Sequence, residues 1–164
     1  MASGMVLALV GAGLAVLLPG IGSSLGIHIA SKSATAILSE KPERYGQFFI
    51  MVVLPGTQGF YGFLAAFMVM MNLNFFGGTG LPEVSFGLGL QVLIACVPVI
   101  FAGLVTAIYQ GRVSSAGILM AGKKPELAFK AGVVYAVMVE IYAILGLLAT
   151  LFMLLYGISW PKVA

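Results

Sequence analysis

The stretch YGQFFIMVVLPGTQGFYGFLAAFMVMMNLNFFGGTGLP, residues 45–82, holds no charged residue. About 20 consecutive apolar residues are enough for a helix to cross the hydrocarbon of a bilayer, so this run reads as a membrane span, Tyr45 to Asn72. On either side of it, Met5 to Ser39, Phe86 to Met120 and Leu127 to Tyr156 are three more long apolar runs. Lipid offers backbone N–H and C=O groups no partner, so each run must be helical. Composition agrees: 61% of the 164 residues are hydrophobic and 8% charged, against roughly a quarter charged in a soluble domain. Such a chain cannot cover itself with polar surface. The expected fold is all-α and integral to the membrane, with four transmembrane helices.

The connections order these helices. SEKPER, Ser39 to Arg44, and AGKKPE, Ala121 to Glu126, are short and basic, and each contains a Pro that stops a helix. The connection between them, NLNFFGGTGLPEVSF from Asn72 to Phe86, is Gly-rich and has no Lys or Arg. By the positive-inside rule the two basic turns are cytoplasmic, and both termini and the Gly-rich loop lie on the far side. Lys41-Pro42-Glu43 recurs as Lys124-Pro125-Glu126. Each copy is preceded by a small-residue helix and followed by an apolar one, which marks a tandem duplication of a helical hairpin. Residues 1–164 form a single membrane domain, with the first hairpin at 1–78 and the second at 79–164. The first run lacks the basic start of a secretory signal and continues helical past Ala36, so it reads as a retained span.

Gly22, Gly26, Ala30 and Ala34 recur every four residues in the first helix, and Gly103, Ala107, Gly111 and Ser115 do so in the third. Small residues at that spacing let helices approach closely in a membrane, within one chain or between copies.

Of the charged residues, only Glu140 falls deep inside a span. At about 1.5 Å per residue it lies about 20 Å from the cytoplasmic end, near mid-bilayer. A bare charge there costs about 2.5–3.5 kcal/mol, so Glu140 is expected to be neutralised by a proton or a cation and to carry function. In the second span Leu54, Thr57, Gln58 and Tyr61 fall at i, i+3, i+4 and i+7 and share one helix face. Pro55 removes an amide donor and Gly56 loosens the helix, which is expected to free backbone carbonyls near Leu54. Gln110 in the third span adds another amide. Taken singly, Thr57, Gln58 and Gln110 are residue types that more often hydrogen-bond neighbouring helices. Together with Glu140 and a Leu54 carbonyl they make an oxygen set suited to a hard cation such as Na⁺, while a proton needs far fewer oxygens.

Other residues carry less. His28 has no Cys, Asp or Glu nearby to make a metal site, and the lone Cys96, inside an apolar run, reads as a packing residue. Tyr109, Tyr135, Tyr142 and Trp160 read as packing or interface aromatics, with Tyr142 within reach of the site. No phosphate-binding Gly loop, catalytic triad or metal-binding pair occurs, so nucleotide hydrolysis is not expected of this chain.

Glu140 in MVEIYAILG, the segment PGTQGFYGF and the KPE turn in both halves resemble, over essentially the whole chain, the proteolipid rotor-ring subunits (the c or K type) of vacuolar-type rotary ATPases. The likeness is nearest to the bacterial Na⁺-translocating branch. The resemblance implies Glu140 as the essential carboxylate and Thr57, Gln58 and Gln110 as side-chain ligands of Na⁺. It further implies Leu54 as a ligand through its carbonyl and Tyr61 as hydrogen-bond partner of Glu140. Aligning YGF with LGL sets Gly56 opposite Glu140, in keeping with loss of the carboxylate from the family's first hairpin. The resemblance implies a homo-oligomeric ring with the small-residue helices inside, touching lipid, a stator membrane subunit and central-stalk subunits. It implies a bacterial plasma membrane, no nucleic-acid partner, and no cofactor beyond the transported ion. Two other readings stay open: the same rotor carrying H⁺, and a small independent secondary transporter or channel using Glu140.

Overall fold

The computed structural model describes residues 2–77 and 81–161, with only the backbone of Ala2. The expected hairpin boundary at 78/79 and Lys162 lie outside the described residues. Helix α1 runs Ala2–Leu38, and after a 3₁₀ turn at Pro42–Arg44 comes α2, Tyr45–Val53. A second 3₁₀ turn, Leu54–Gly56, separates α2 from α3, Thr57–Asn72. Helix α4 spans Phe86–Lys123, and a 3₁₀ turn at Pro125–Leu127 and a π-helical turn at Ala128–Val133 lead into α5, Val134–Tyr156. Among the described residues, four helical runs are long and apolar enough to cross a membrane: Ser3–Leu38, Pro42–Asn72, Phe86–Lys123 and Pro125–Tyr156. The ends move by a few residues from the sequence reading. The material difference lies inside the second and fourth spans, each of which departs from α geometry.

The small-residue stripes meet within one chain. A Cβ on Gly22 would sit 2.8 Å from the Leu104 Cα, and one on Gly26 would strike the Ala107 carbonyl and the Pro55 side chain. One on Gly111 would collide with the backbone of Gly26, and Ser33 Oγ and Ser115 Oγ lie 2.7 Å apart. Close backbone approach, possible only without a Cβ, brings α1 and α4 together along their length. The second helix of each hairpin packs alike. Gly62 lies against Ala15 and Pro19, and Gly146 against Pro98 and Ala102, pairs that stand 83 residues apart in α1 and α4.

The turns repeat too. Lys41 N–H donates to the Ile37 carbonyl and Lys124 N–H to Met120; Arg44 N–H donates to Lys41 and Leu127 N–H to Lys124. From Pro42 to Gly62, however, the chain is one residue shorter than from Pro125 to Gly146. The difference falls where the helices depart from α geometry. The first hairpin overwinds into the Leu54–Gly56 3₁₀ turn, and the second widens into the Ala128–Val133 π-turn, which holds more residues per turn.

The first turn also clasps the second hairpin. Arg44 Nη1 donates to the Ala121 carbonyl at 2.7 Å, Lys41 Nζ to Gly122 at 3.0 Å, and Gln47 Nε2 to Pro125 at 3.1 Å. Cations on the last carbonyls of α4 complement the negative end of its dipole. Pro98 interrupts α4, and the Val99 N–H donates to Thr150 Oγ1 at 3.1 Å, so a neighbouring helix supplies the acceptor at the break. Two apolar clusters form the interior. One, toward the Gly-rich loop, includes Val69, Leu73, Val92 and Leu154. The other, toward the basic turns, includes Phe48, Met51, Ile118 and Ala128.

Candidate ion-binding site

Between these clusters lies a polar layer built from α3, α4 and α5. Glu140 is 8% exposed, and Gln58 and Gln110 are fully buried. Tyr61 Oη donates to Glu140 Oε1 at 2.6 Å, and Gln110 Nε2 lies 3.3 Å from Oε2. Gln110 Nε2 also donates to the Ala136 carbonyl at 3.0 Å, one turn before Glu140 on the same helix. Gln58 Nε2 donates to Gln110 Oε1 at 2.7 Å. The Thr57 hydroxyl donates to the Leu54 carbonyl at 2.9 Å, with Gln58 Oε1 a second acceptor at 3.3 Å. All six residues singled out in the sequence thus form one continuous hydrogen-bonded chain, from Leu54 through Thr57, Gln58 and Gln110 to Glu140 and Tyr61.

Local geometry sets each member. The 3₁₀ turn aims Leu54, Thr57, Gln58 and Tyr61 inward from one face. Within it the Leu54 carbonyl accepts both the N–H and the hydroxyl of Thr57. The turn tightens to i+3 bonding, so the Thr57 N–H takes the carbonyl that an α-helix would leave to Gln58. Ser23 of α1 supports the same segment by accepting the Gly59 N–H at 2.9 Å.

The arrangement can hold a hard cation. Each amide oxygen, Gln58 Oε1 and Gln110 Oε1, spends one of its two lone pairs on a hydrogen bond and keeps another. Both carboxylate oxygens of Glu140 face N–H or O–H donors, which suits an ionised group acting as acceptor only. Tyr142 is 67% exposed and is not among these contacts, and His28 is likewise exposed on α1. Cys96 is buried, as read from the sequence. Ala136, which contributes only a main-chain oxygen, and Ser23, one Ser within a small-residue stripe, gave no signal in the sequence. Among the described residues, no cluster of three or more His, Cys, Asp or Glu side chains could hold a metal, and the polar layer consists of neutral oxygens around one carboxylate.

Comparison with known proteins bears on the family of the chain. The family model described as the C subunit of ATP synthase matches twice, at residues 10–69 and 93–153, one match to each hairpin. The V-type sodium ATPase subunit K of Enterococcus hirae is 41% identical over 152 residues, covering 93% of this chain and 92% of that protein. The A-type ATP synthase subunit K of Methanocaldococcus jannaschii is 36% identical over 150 residues, covering 92% of this chain and 62% of that longer protein. With two hairpins that repeat turn for turn, each matched by the same model, the chain belongs to the ATP synthase C-subunit family.

Proposed function

We propose that this chain is the ion-carrying subunit of the rotor ring of a vacuolar-type rotary ATPase and that its ion is Na⁺, bound at Glu140. The observation that carries the reading is the chain of oxygens from Leu54 to Glu140, closed off by apolar clusters on both sides. Five oxygen-bearing groups exceed what one proton needs, and their hardness and charge match a monovalent hard cation. The name of the Enterococcus hirae relative points the same way. Leu54 through its carbonyl, Thr57, Gln58, Gln110 and Glu140 are the ligands, with Tyr61 holding the carboxylate in place. On binding, the Thr57 hydroxyl turns its proton away and leaves its own oxygen and the Leu54 carbonyl to the cation.

With Na⁺ bound the site is neutral and can pass hydrocarbon as the ring turns. Empty, its carboxylate carries the cost of about 2.5–3.5 kcal/mol of a charge at mid-bilayer. Loading and release therefore belong where a stator subunit covers the site, and a cationic stator group there favours the bare carboxylate and expels Na⁺. Moving one charge against 100 mV costs about 2.3 kcal/mol, which ATP hydrolysis in soluble partner subunits supplies through the ring. The basic turns face the cytoplasm in this reading, and the Gly-rich loop faces the other side.

Labelling of Glu140 by a carbodiimide, which attacks protonated carboxyl groups, tests this on the detergent-purified assembly. Millimolar Na⁺ protects Glu140 while K⁺ at equal ionic strength does not, and Gln110→Ala removes the protection. Labelling that follows pH alone, indifferent to Na⁺, would assign the rotor to protons.

A further inference from the structure

We infer that Ser23 of α1 is a positioning residue of the ion site: by accepting the Gly59 N–H, its hydroxyl oxygen holds the 3₁₀ turn at Leu54–Gly56 in the shape that presents Leu54, Thr57 and Gln58 to the cation. The inference rests on the Na⁺ reading above. It adds to that reading how a helix that supplies no ligand sets the affinity of the site.

The bond is made where the turn has just returned to α-helix. Ser23 Oγ accepts the Gly59 N–H at 2.9 Å, and Ser23 is 6% exposed, so no solvent competes for that amide. The Gly59 N–H and the Gln58 carbonyl belong to one planar peptide unit. Fixing the amide therefore also fixes the backbone from which the Gln58 side chain reaches Gln110. The rest of α1 follows the turn closely. A Cβ on Gly26 would sit 2.7 Å from the Pro55 Cβ, and one on Gly56 would sit 3.3 Å from the Ile27 Cδ1. Those two contacts are apolar and set spacing, whereas a hydrogen bond sets direction.

The second hairpin supplies the comparison. Moved by 83 residues, the offset of the α1 and α4 contacts, Ser23 becomes Thr106, and Gly59 becomes Ala143 just as Gly62 becomes Gly146. Thr106 Oγ1 donates to the Ala102 carbonyl of its own helix at 2.6 Å. Past Ala143, α5 runs as unbroken α-helix from Val134 to Tyr156. A hydroxyl thus stands at the same place in both hairpins, and it accepts an amide of the partner helix in the hairpin that carries the 3₁₀ turn. The cross-helix bond goes with the turn and its ligands, not with the repeat.

The energetic role follows from the geometry. A 3₁₀ turn has poorer hydrogen bonds than an α-helix, and with no cation bound the ligands do not hold it. Relaxed to α geometry, the segment would pass the Leu54 carbonyl to the Gln58 N–H and rotate Thr57 and Gln58 relative to Leu54. Na⁺ would then have to restore the turn, and its apparent affinity would fall in proportion to the fraction of chains that keep the turn ready. Ser23 keeps that fraction high. Preorganisation of this kind raises affinity without adding a contact to the ion.

Carbodiimide labelling of Glu140 in the detergent-purified assembly, titrated with Na⁺, tests this. Ser23→Ala removes one oxygen and should raise the half-protecting Na⁺ concentration about threefold to tenfold, the span of one ordinary hydrogen bond. Ser23→Thr keeps the hydroxyl and places there the residue that stands at the corresponding position of α4, so it should stay within about twofold of the unmodified chain. Thr106→Ala, which removes a hydroxyl bonded only to its own helix, should stay within the same range. A Ser23→Ala assembly that is protected like the unmodified one overturns the inference and leaves the Na⁺ site standing. Equal weakening in Ser23→Thr and Ser23→Ala, or in Thr106→Ala and Ser23→Ala, also overturns it, because packing and not the bond to Gly59 would then be at work. An unmodified chain whose Glu140 is not protected by Na⁺ overturns both.

Discussion

Tyr61 and Gln110 hold opposite oxygens of one carboxylate, and their removal should be felt differently. Tyr61→Phe keeps every proposed Na⁺ ligand but loses a hydrogen bond to a charged group, worth about 1.5–3 kcal/mol. Na⁺ affinity, read from the concentration that half-protects Glu140 against carbodiimide, should fall roughly tenfold to a hundredfold. Ser114 gives the contrast. One turn from Gln110 and fully buried, its hydroxyl has no hydrogen-bond partner, and such a group costs stability. Ser114→Ala should leave Na⁺ protection unchanged and the thermal stability of the assembly unchanged or higher. A loss of protection would make Ser114 part of the site. The six residues of the hydrogen-bonded chain were legible in the sequence because each is polar where neighbouring positions are apolar, or, for Leu54, stands beside a Pro on the same face. Ala136 and Ser23 were not, since a main-chain carbonyl and one more small residue leave no mark.

At the scale of the element, the two departures from α geometry place the site. The 3₁₀ turn brings Leu54 and Thr57 together, and the π-turn at Ala128–Val133 absorbs the one residue by which the second hairpin exceeds the first. Each residue added to or taken from an α-helix rotates the remainder of that helix by about 100°. Deleting Ala131 should therefore convert the π-turn to α-helix and leave Glu140 facing Gln110 and Tyr61, because the turn has already absorbed that residue. Sodium protection should persist in the deletion variant while circular dichroism still reports a helical protein. Lost protection would mean that the π-turn does not absorb that residue. Four spans and two hairpins could be read from charge spacing and the KPE repeat, since long apolar runs leave lipid-embedded backbone no choice but helix. The 3₁₀ and π turns were hidden, because hydropathy does not report helical pitch. The stripes predicted close packing, and the Gly26 contact with Ala107 and Gly111 shows that it occurs within one chain.

At the scale of the whole molecule, polar chemistry is confined to one layer between two apolar clusters, while the charged residues outside it gather near the helix ends. In the proposed reading a single chain with this layout carries the ion, and the ring and its stator supply the route across the membrane. The sequence reached this scale only through the family resemblance, because ring size and stator contacts are properties of surfaces that one chain leaves exposed. Whether Na⁺ is the rotor's primary cargo is decided by ²²Na⁺ uptake, driven by ATP, into proteoliposomes holding the complete ATPase built on this chain, with a protonophore present. Uptake should persist or rise when the protonophore collapses any proton gradient, and should vanish with Glu140→Gln. Acidification of the vesicles without Na⁺, abolished by the protonophore, together with no primary Na⁺ uptake, would overturn Na⁺ as the cargo.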